Sequence, residues 1–169
     1  MIRVTQILFV LFLLTGHVSI AHAAEGAPWG KAKSVPDLQY QPGKVIYDFT
    51  SGDPEQLATM LDRLGYLYKF YAADPLYSSI VVIIHGEAIP FFAVRNLNKH
   101  RGLMVHARSM TAGTSIEFRM CAAAAKVMGY KPEHIHGFVQ MVPMADAEII
   151  RLQQEEDYAY LRWNTQVVK

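Results

Sequence analysis

At 169 residues, half of them apolar, the chain is long enough for one domain of ordinary size with a real core. A formal net charge of +1, with no run of five like charges, removes nucleic acid from the expected partners. The single cysteine excludes an internal disulfide, and no CxxC, HExxH, Walker A or GxGxxG pattern is present.

The first residues read as a targeting segment. Met1-Ile2-Arg3 carries one positive charge, Ile7 to Leu14 is an apolar core, and Ala21-His22-Ala23 forms an A-x-A site. The apolar run is shorter than the roughly 20 residues a membrane span needs. The expectation is a signal peptide over 1–23, cleaved after Ala23 or one residue later, and a periplasmic or secreted protein with no stable membrane insertion. Losing Arg3 takes Lys+Arg from 16 to 15 against 15 Asp+Glu, so the mature chain has a formal charge of zero. Residues 24–43 hold Pro28, Pro36 and Pro42 and read as an extended arm, with Trp29 and Tyr40 as its packing anchors.

A single domain is expected over 44–169. Lys44 to Phe49 reads as the first strand. Asp53-Pro54-Glu55-Gln56 is a helix start: an Asp N-cap, Pro at the first helical position, and Gln three residues after the cap. Leu57, Met60, Leu61, Leu64 and Tyr68 then recur at helical spacing, and the helix is expected to end near Ala73-Asp74-Pro75. Ile80 to Ile84 is continuously apolar and β-branched, as in a strand buried on both faces of a parallel sheet. Residues 88–94 are expected to be helical, with Pro90 in the first turn. Residues 95–102 read as a solvated connection, and 103–110 as a second short helix. Ser115 to Cys121 reads as a strand running into a helix of four alanines, with Gly129 as its C-cap. His136 to Val142 is the fourth strand, Ala145 to Glu156 the last helix, and Tyr158 to Trp163 a short final strand or extended tail. Strand and helix alternate without a hairpin signal. The implied fold is α/β, with helices on both faces of a mainly parallel sheet of four to five strands.

Ligands of such sheets sit at the carboxyl ends of the strands. Cys121 and His85 end the third and second strands, with Arg119 beside them, and these three are the candidate site residues. A thiol at a helix N-terminus is favoured as thiolate, a nearby cation adds to that, and His85 can accept or give a proton. The bland readings remain open: a packed cysteine, a satisfied strand-end histidine, and an Arg119–Glu117 surface pair. Cys121, His134, His136, Met141 and Met144 together would suit a soft metal. But His134 and His136 precede a seven-residue strand, about 23 Å long at about 3.3 Å per residue, so no metal site is expected.

Three segments carry a resemblance to a family. His85-Gly86-Glu87-Ala88-Ile89 resembles the HG-x-A-I segment of DsrE/DsrF-like proteins. Gly113-x-x-Ile116-x-Phe118-x-x-Cys121 resembles the strand leading to their cysteine. Val142-Pro143, then Glu148-Ile149-Ile150-Arg151-Leu152-Gln153 and Tyr158-Ala159-Tyr160, is similar to their C-terminal signature. The likeness runs over about 44–163. It implies a three-layer α/β/α fold, a homotrimer or homohexamer, and a persulfide-carrying cysteine falling on Cys121. Two positions depart from the family pattern. Ala122 to Ala125 offers no side-chain donor to a bound sulfur, so backbone N–H groups must serve. Asp157 stands where Gly is usual. The expected function is a periplasmic sulfur relay that carries sulfane sulfur on Cys121, without a cofactor, between a small sulfur compound or donor protein and an acceptor. The alternative is a non-enzymatic small-ligand-binding or oligomeric assembly module with a structural cysteine.

Overall fold

The structure is a computed structural model that describes residues 29–71 and 76–163. The signal-peptide segment and the helix end expected at 73–75 lie outside these residues. Residues 29–38 form no helix or strand. Tyr40 does pack, edge-on against Phe70 with ring centroids 5.3 Å apart.

Five strands form one all-parallel sheet: β1 (Lys44–Phe49), β2 (Ser79–Ile84), β3 (Ile116–Cys121), β4 (Val139–Val142) and β5 (Ala159–Arg162). Their order across the sheet is β4-β3-β2-β1-β5. Among the described residues four α-helices lie in the connections: α1 (Pro54–Phe70), α2 (Leu97–Thr111), α3 (Ala122–Val127) and α4 (Ala145–Glu155). From β1 to β4 the chain steps in one direction, and each right-handed crossover therefore falls on the same face. The step from β4 back to β5 runs the other way, which puts α4 on the opposite face. The result is the three-layer α/β/α arrangement expected from the alternation of elements.

Two apolar clusters follow. On the first face, Val45, Tyr47, Phe49, Val82 and Phe118 pack with Leu57, Met60, Leu61 and Leu64 of α1, the stripe read from the sequence. On the second, Ile46, Val81, Ile83 and Cys121 pack with Ala145, Ile149 and Leu152 of α4. Asp53 caps α1 as expected, its Oδ1 accepting the Glu55 N–H at 2.9 Å.

Several boundaries differ from expectation. The helical segment expected over 88–94 is a 3₁₀ helix over 86–92, with Pro90 inside it, where its missing N–H prevents regular i→i−4 pairing. The polar stretch 95–102 is no loop: α2 begins at Leu97, with a kink at His100 (φ −123°, ψ 23°). Its charged side chains face solvent from a helix, and polarity alone does not distinguish that from a loop. β4 starts at Val139, three residues later than expected, because the chain turns there, Val139 N–H donating to His136 C=O at 3.0 Å and Phe138 packing against the first-face cluster. Tyr158–Trp163 yields a strand, β5, paired with β1.

Gly129 ends α3 as expected. At φ +78° its N–H donates to Lys126 C=O, while Tyr130 N–H donates to Ala125 C=O at 2.8 Å, and Tyr130 and Ala125 share the first-face cluster. This is a complete Schellman motif. Gly129→Ala keeps these bonds but forces a Cβ into the left-handed region, and is expected to cost about 1 kcal/mol. Urea denaturation measures it as a lowered midpoint with an unchanged slope.

Candidate functional site at the carboxyl edge of the sheet

The carboxyl edge gathers chemistry from four strands. Asp48 interrupts the buried run Val45–Phe49 of β1 and points to the α4 face, in the register row Arg162–Asp48–Ile83–Arg119. A carboxylate this buried (9% exposed) needs partners. It has two: Oδ1 lies 2.6 Å from His85 Nε2, and Oδ2 accepts the Tyr160 hydroxyl at 2.6 Å. The Asp48 carbonyl also accepts the Trp163 N–H at 3.0 Å, which fastens the end of β5.

The electrostatics follow from this geometry. Burial pushes the Asp48 carboxyl up, but the bonds from His85 and Tyr160 outweigh it and hold it below its ordinary value. The bond to Asp48 raises His85, against a smaller opposing effect of burial. Burial, then the bond to Asp48, pushes Tyr160 up to about 12, so its hydroxyl keeps its proton and remains a donor. Beside this trio lies an open cleft of about 230 Å³, bounded by Asp48, Asp146, Ile149, Gln153 and Tyr160.

Gly86, after His85, adopts φ +60°, which swings the chain off β2. The β1–α1 loop approaches closely here: a Cβ on Gly52 would lie 3.1 Å from Glu87 Cβ.

Cys121 ends β3 and caps α3. Its Sγ accepts the Ala124 N–H at 3.4 Å, a backbone donor, as the run of alanines requires. The residue is 5% exposed. In register it pairs with Val142, the last residue of β4. The chain leaves β3 for α3, whose Ala125 packs in the first-face cluster, and leaves β4 for α4 on the second face. Adjacent strands whose exits part to opposite faces define the topological switch point, the place where open α/β sheets bind ligands. Cys121 stands on it. A hydrogen bond from Ala123 N–H to Pro143 C=O (3.2 Å) spans the two exits.

His85 comes one residue after Ile84, and Cys121 one residue after Met120, the register partner of Ile84. The two thus share an edge on neighbouring strands, which lie about 4.8 Å apart. The imidazole's hydrogen bond, however, is to Asp48. Arg119 is committed elsewhere. Its Nε and Nη2 donate to Glu117 Oε2 at 3.0 and 2.7 Å, and its Nη1 to Glu148 Oε1 of α4. Glu148 in turn accepts from Arg151, which also bonds Glu156. Burial works against the Arg119 charge, but the two carboxylates outweigh it and hold the guanidinium protonated. Its role here is to pin α4 to β3.

His134 and His136 lie away from Cys121, for a different reason than strand length. With four residues, β4 is too short to separate them by itself. The sheet does so: His136 stacks on Phe138 (5.8 Å, 12°) on the first face, whereas Cys121 belongs to the second.

Sequence reading missed Asp48 and Tyr160. A lone carboxylate in a strand otherwise buried on both faces was the available signal for Asp48. Tyr160 offered none, since its partner is 112 residues away.

Neither a family model nor a curated protein matches the chain. Among solved structures it is similar to a protein of unknown function from Methanobacterium thermoautotrophicum, MTH1491. The identity is 18% and the TM-score 0.57, over 71% of this chain and 98% of that one. This likeness concerns the fold. Among the described residues no helix is long and apolar enough to cross a membrane, and no group of three or more His, Cys, Asp or Glu side chains is placed to hold a metal ion.

Proposed function

We propose that the chain is a sulfur-relay protein that carries sulfane sulfur as a persulfide on Cys121. The observation that carries this reading is the position of the only cysteine at the topological switch point, with a backbone N–H directed at its sulfur. In the proposed step the Cys121 thiolate attacks the outer sulfur of a persulfide or polysulfide. A new S–S bond forms at Cys121, the donor's S–S bond breaks, and the donor leaves as a thiolate. No external oxidant is needed. His85, held by Asp48 on the same edge, takes the thiol proton and can return it to the leaving sulfur. The Ala124 N–H serves the terminal sulfur's neighbour without any side-chain donor. At 5% exposure the sulfur admits a small donor more readily than a bulky one. The likeness to DsrE/DsrF-like segments supports the same chemistry and a homotrimeric or homohexameric assembly, and the N-terminal A-x-A segment supports a periplasmic setting.

Intact-mass measurement after brief exposure to polysulfide tests the reading. Wild type is expected to gain the mass of one sulfur atom, reversed by a thiol reductant, and Cys121→Ala to gain none. No gain on wild type, or an equal gain on Cys121→Ala, rejects it.

The near-complete burial of Cys121 favours a second reading, in which the thiol is packing and the Asp48–His85–Tyr160 cleft holds a small ligand. Alkylation of native Cys121 by iodoacetamide, slower than that of the urea-unfolded chain by several orders of magnitude, would favour it over the relay.

A further inference from the structure

On the face of the sheet opposite Cys121, α2 and the turn before β4 enclose a cleft of about 460 Å³ that the sulfur chemistry does not use. Its walls include Arg101, Met104 and Arg108 from α2, and His136 and Phe138 from the turn. Arg101 and Arg108 are seven residues apart, two helical turns, so they share a face about 10 Å apart along the axis. Met104, 2% exposed, lies between them as an apolar floor, with Phe138 opposite.

The charge of this cleft is one-sided. Among the described residues no carboxylate lines it. Arg119 and Arg151 bond to glutamates, but among the described residues Arg108 has no acidic partner and Arg101 bonds only to the neutral Asn98 Oδ1, at 3.0 Å. In the facing wall, His136 Nε2 is shielded from solvent and has no hydrogen-bond partner among the described residues. Burial lowers the His136 pKa, so the imidazole is neutral near pH 7 and the positive charge comes from the two arginines. Two unpaired guanidiniums over an apolar floor suit neither an inorganic ion, which has nothing to place on Met104 and Phe138, nor a neutral lipid, which has nothing to place on the arginines.

We infer that this cleft binds an amphipathic organic anion, its carboxylate or sulfonate held by Arg101 and Arg108 and its apolar body laid on Met104 and Phe138. The volume falls in the range of small-molecule sites.

Decanoate, with decanol as its neutral counterpart, tests this by amide chemical-shift titration of the full mature chain. Decanoate is expected to bind saturably, with shifts concentrated on residues 97–108 and 136–138, and decanol at least tenfold more weakly. Arg101→Gln/Arg108→Gln should weaken decanoate at least tenfold and bring it level with decanol. Both arginines are exposed, so the thermal midpoint and sedimentation coefficient should not move. Absence of saturable binding, equal affinity for decanol, or shifts centred elsewhere overturns the inference. A changed oligomer size in the double variant also overturns it, by showing the face to be a subunit contact. None of these outcomes depends on Cys121, so failure here leaves the relay reading intact.

Discussion

Arg119→Met is expected to lower the free energy of unfolding by about 3 kcal/mol, more than any surface change on the molecule. The guanidinium is 14% exposed and bridges Glu117 of β3 to Glu148 of α4, whose side chain is 11% exposed. Removing the cation leaves Glu148 largely buried with only Arg151, itself 37% exposed, to balance it. Arg119→Met/Glu148→Leu should recover much of the loss, because it removes the stranded charge together with its partner. Urea denaturation of the three proteins decides the point. A single variant within 0.5 kcal/mol of wild type would show that the bridge is a solvated surface pair. The same variant should still take up sulfur at Cys121 if Arg119 positions α4 and does no chemistry.

Asp48→Asn is expected to have its largest effect on the titration of His85. In the folded protein the bond to Asp48 raises the His85 pKa above its ordinary 6.5. The stability this contributes is fully present below pH 6.5 and is lost as pH rises through the folded value. Asp48 is lowered below its ordinary 3.8, so its contribution is present above that pH and disappears as pH falls through the folded value. Wild-type stability should therefore be greatest between about pH 4 and 6.5 and decline on both sides. Asp48→Asn should bring the His85 midpoint, read from its ring-proton shifts, back to 6.5 or below and flatten the decline on the alkaline side. It should also cost about 2 kcal/mol at pH 6, since the charge-assisted bonds to His85 and Tyr160 are both weakened. An unmoved His85 midpoint would mean that the pair does not exist in solution. If His85 serves Cys121, the rate of sulfur uptake should shift along pH with the same midpoint.

The layered architecture was legible because its signals are local. The stripe Leu57, Met60, Leu61, Leu64 and Tyr68 states helical spacing on its face, and Ile80–Ile84 states double burial. The Asp53-Pro54 start and the Gly129 stop are set by backbone chemistry within a few residues, and each was found in place. Asp157 shows the limit of such reading. It adopts φ +59°, a conformation usually left to Gly that Asp tolerates better than most residues, and nothing in its neighbours along the chain announces it.

By itself, then, the sequence determined which segments bury which faces and that the lone thiol ends a strand. Periodicity and capping depend on neighbours three or four residues away. The Asp53 cap and the Arg119–Glu117 pair are local and were read there too, whereas only the tertiary structure decided the long-range partners of the polar residues. Asp48 reaches Tyr160 across 112 positions, Arg119 reaches Glu148 across 29, and the return of the chain from β4 to β5 makes Cys121 the switch point. A buried charge takes whatever partner the fold brings within about 3 Å. That pairing is a property of the folded chain as a whole, and no local pattern encodes it.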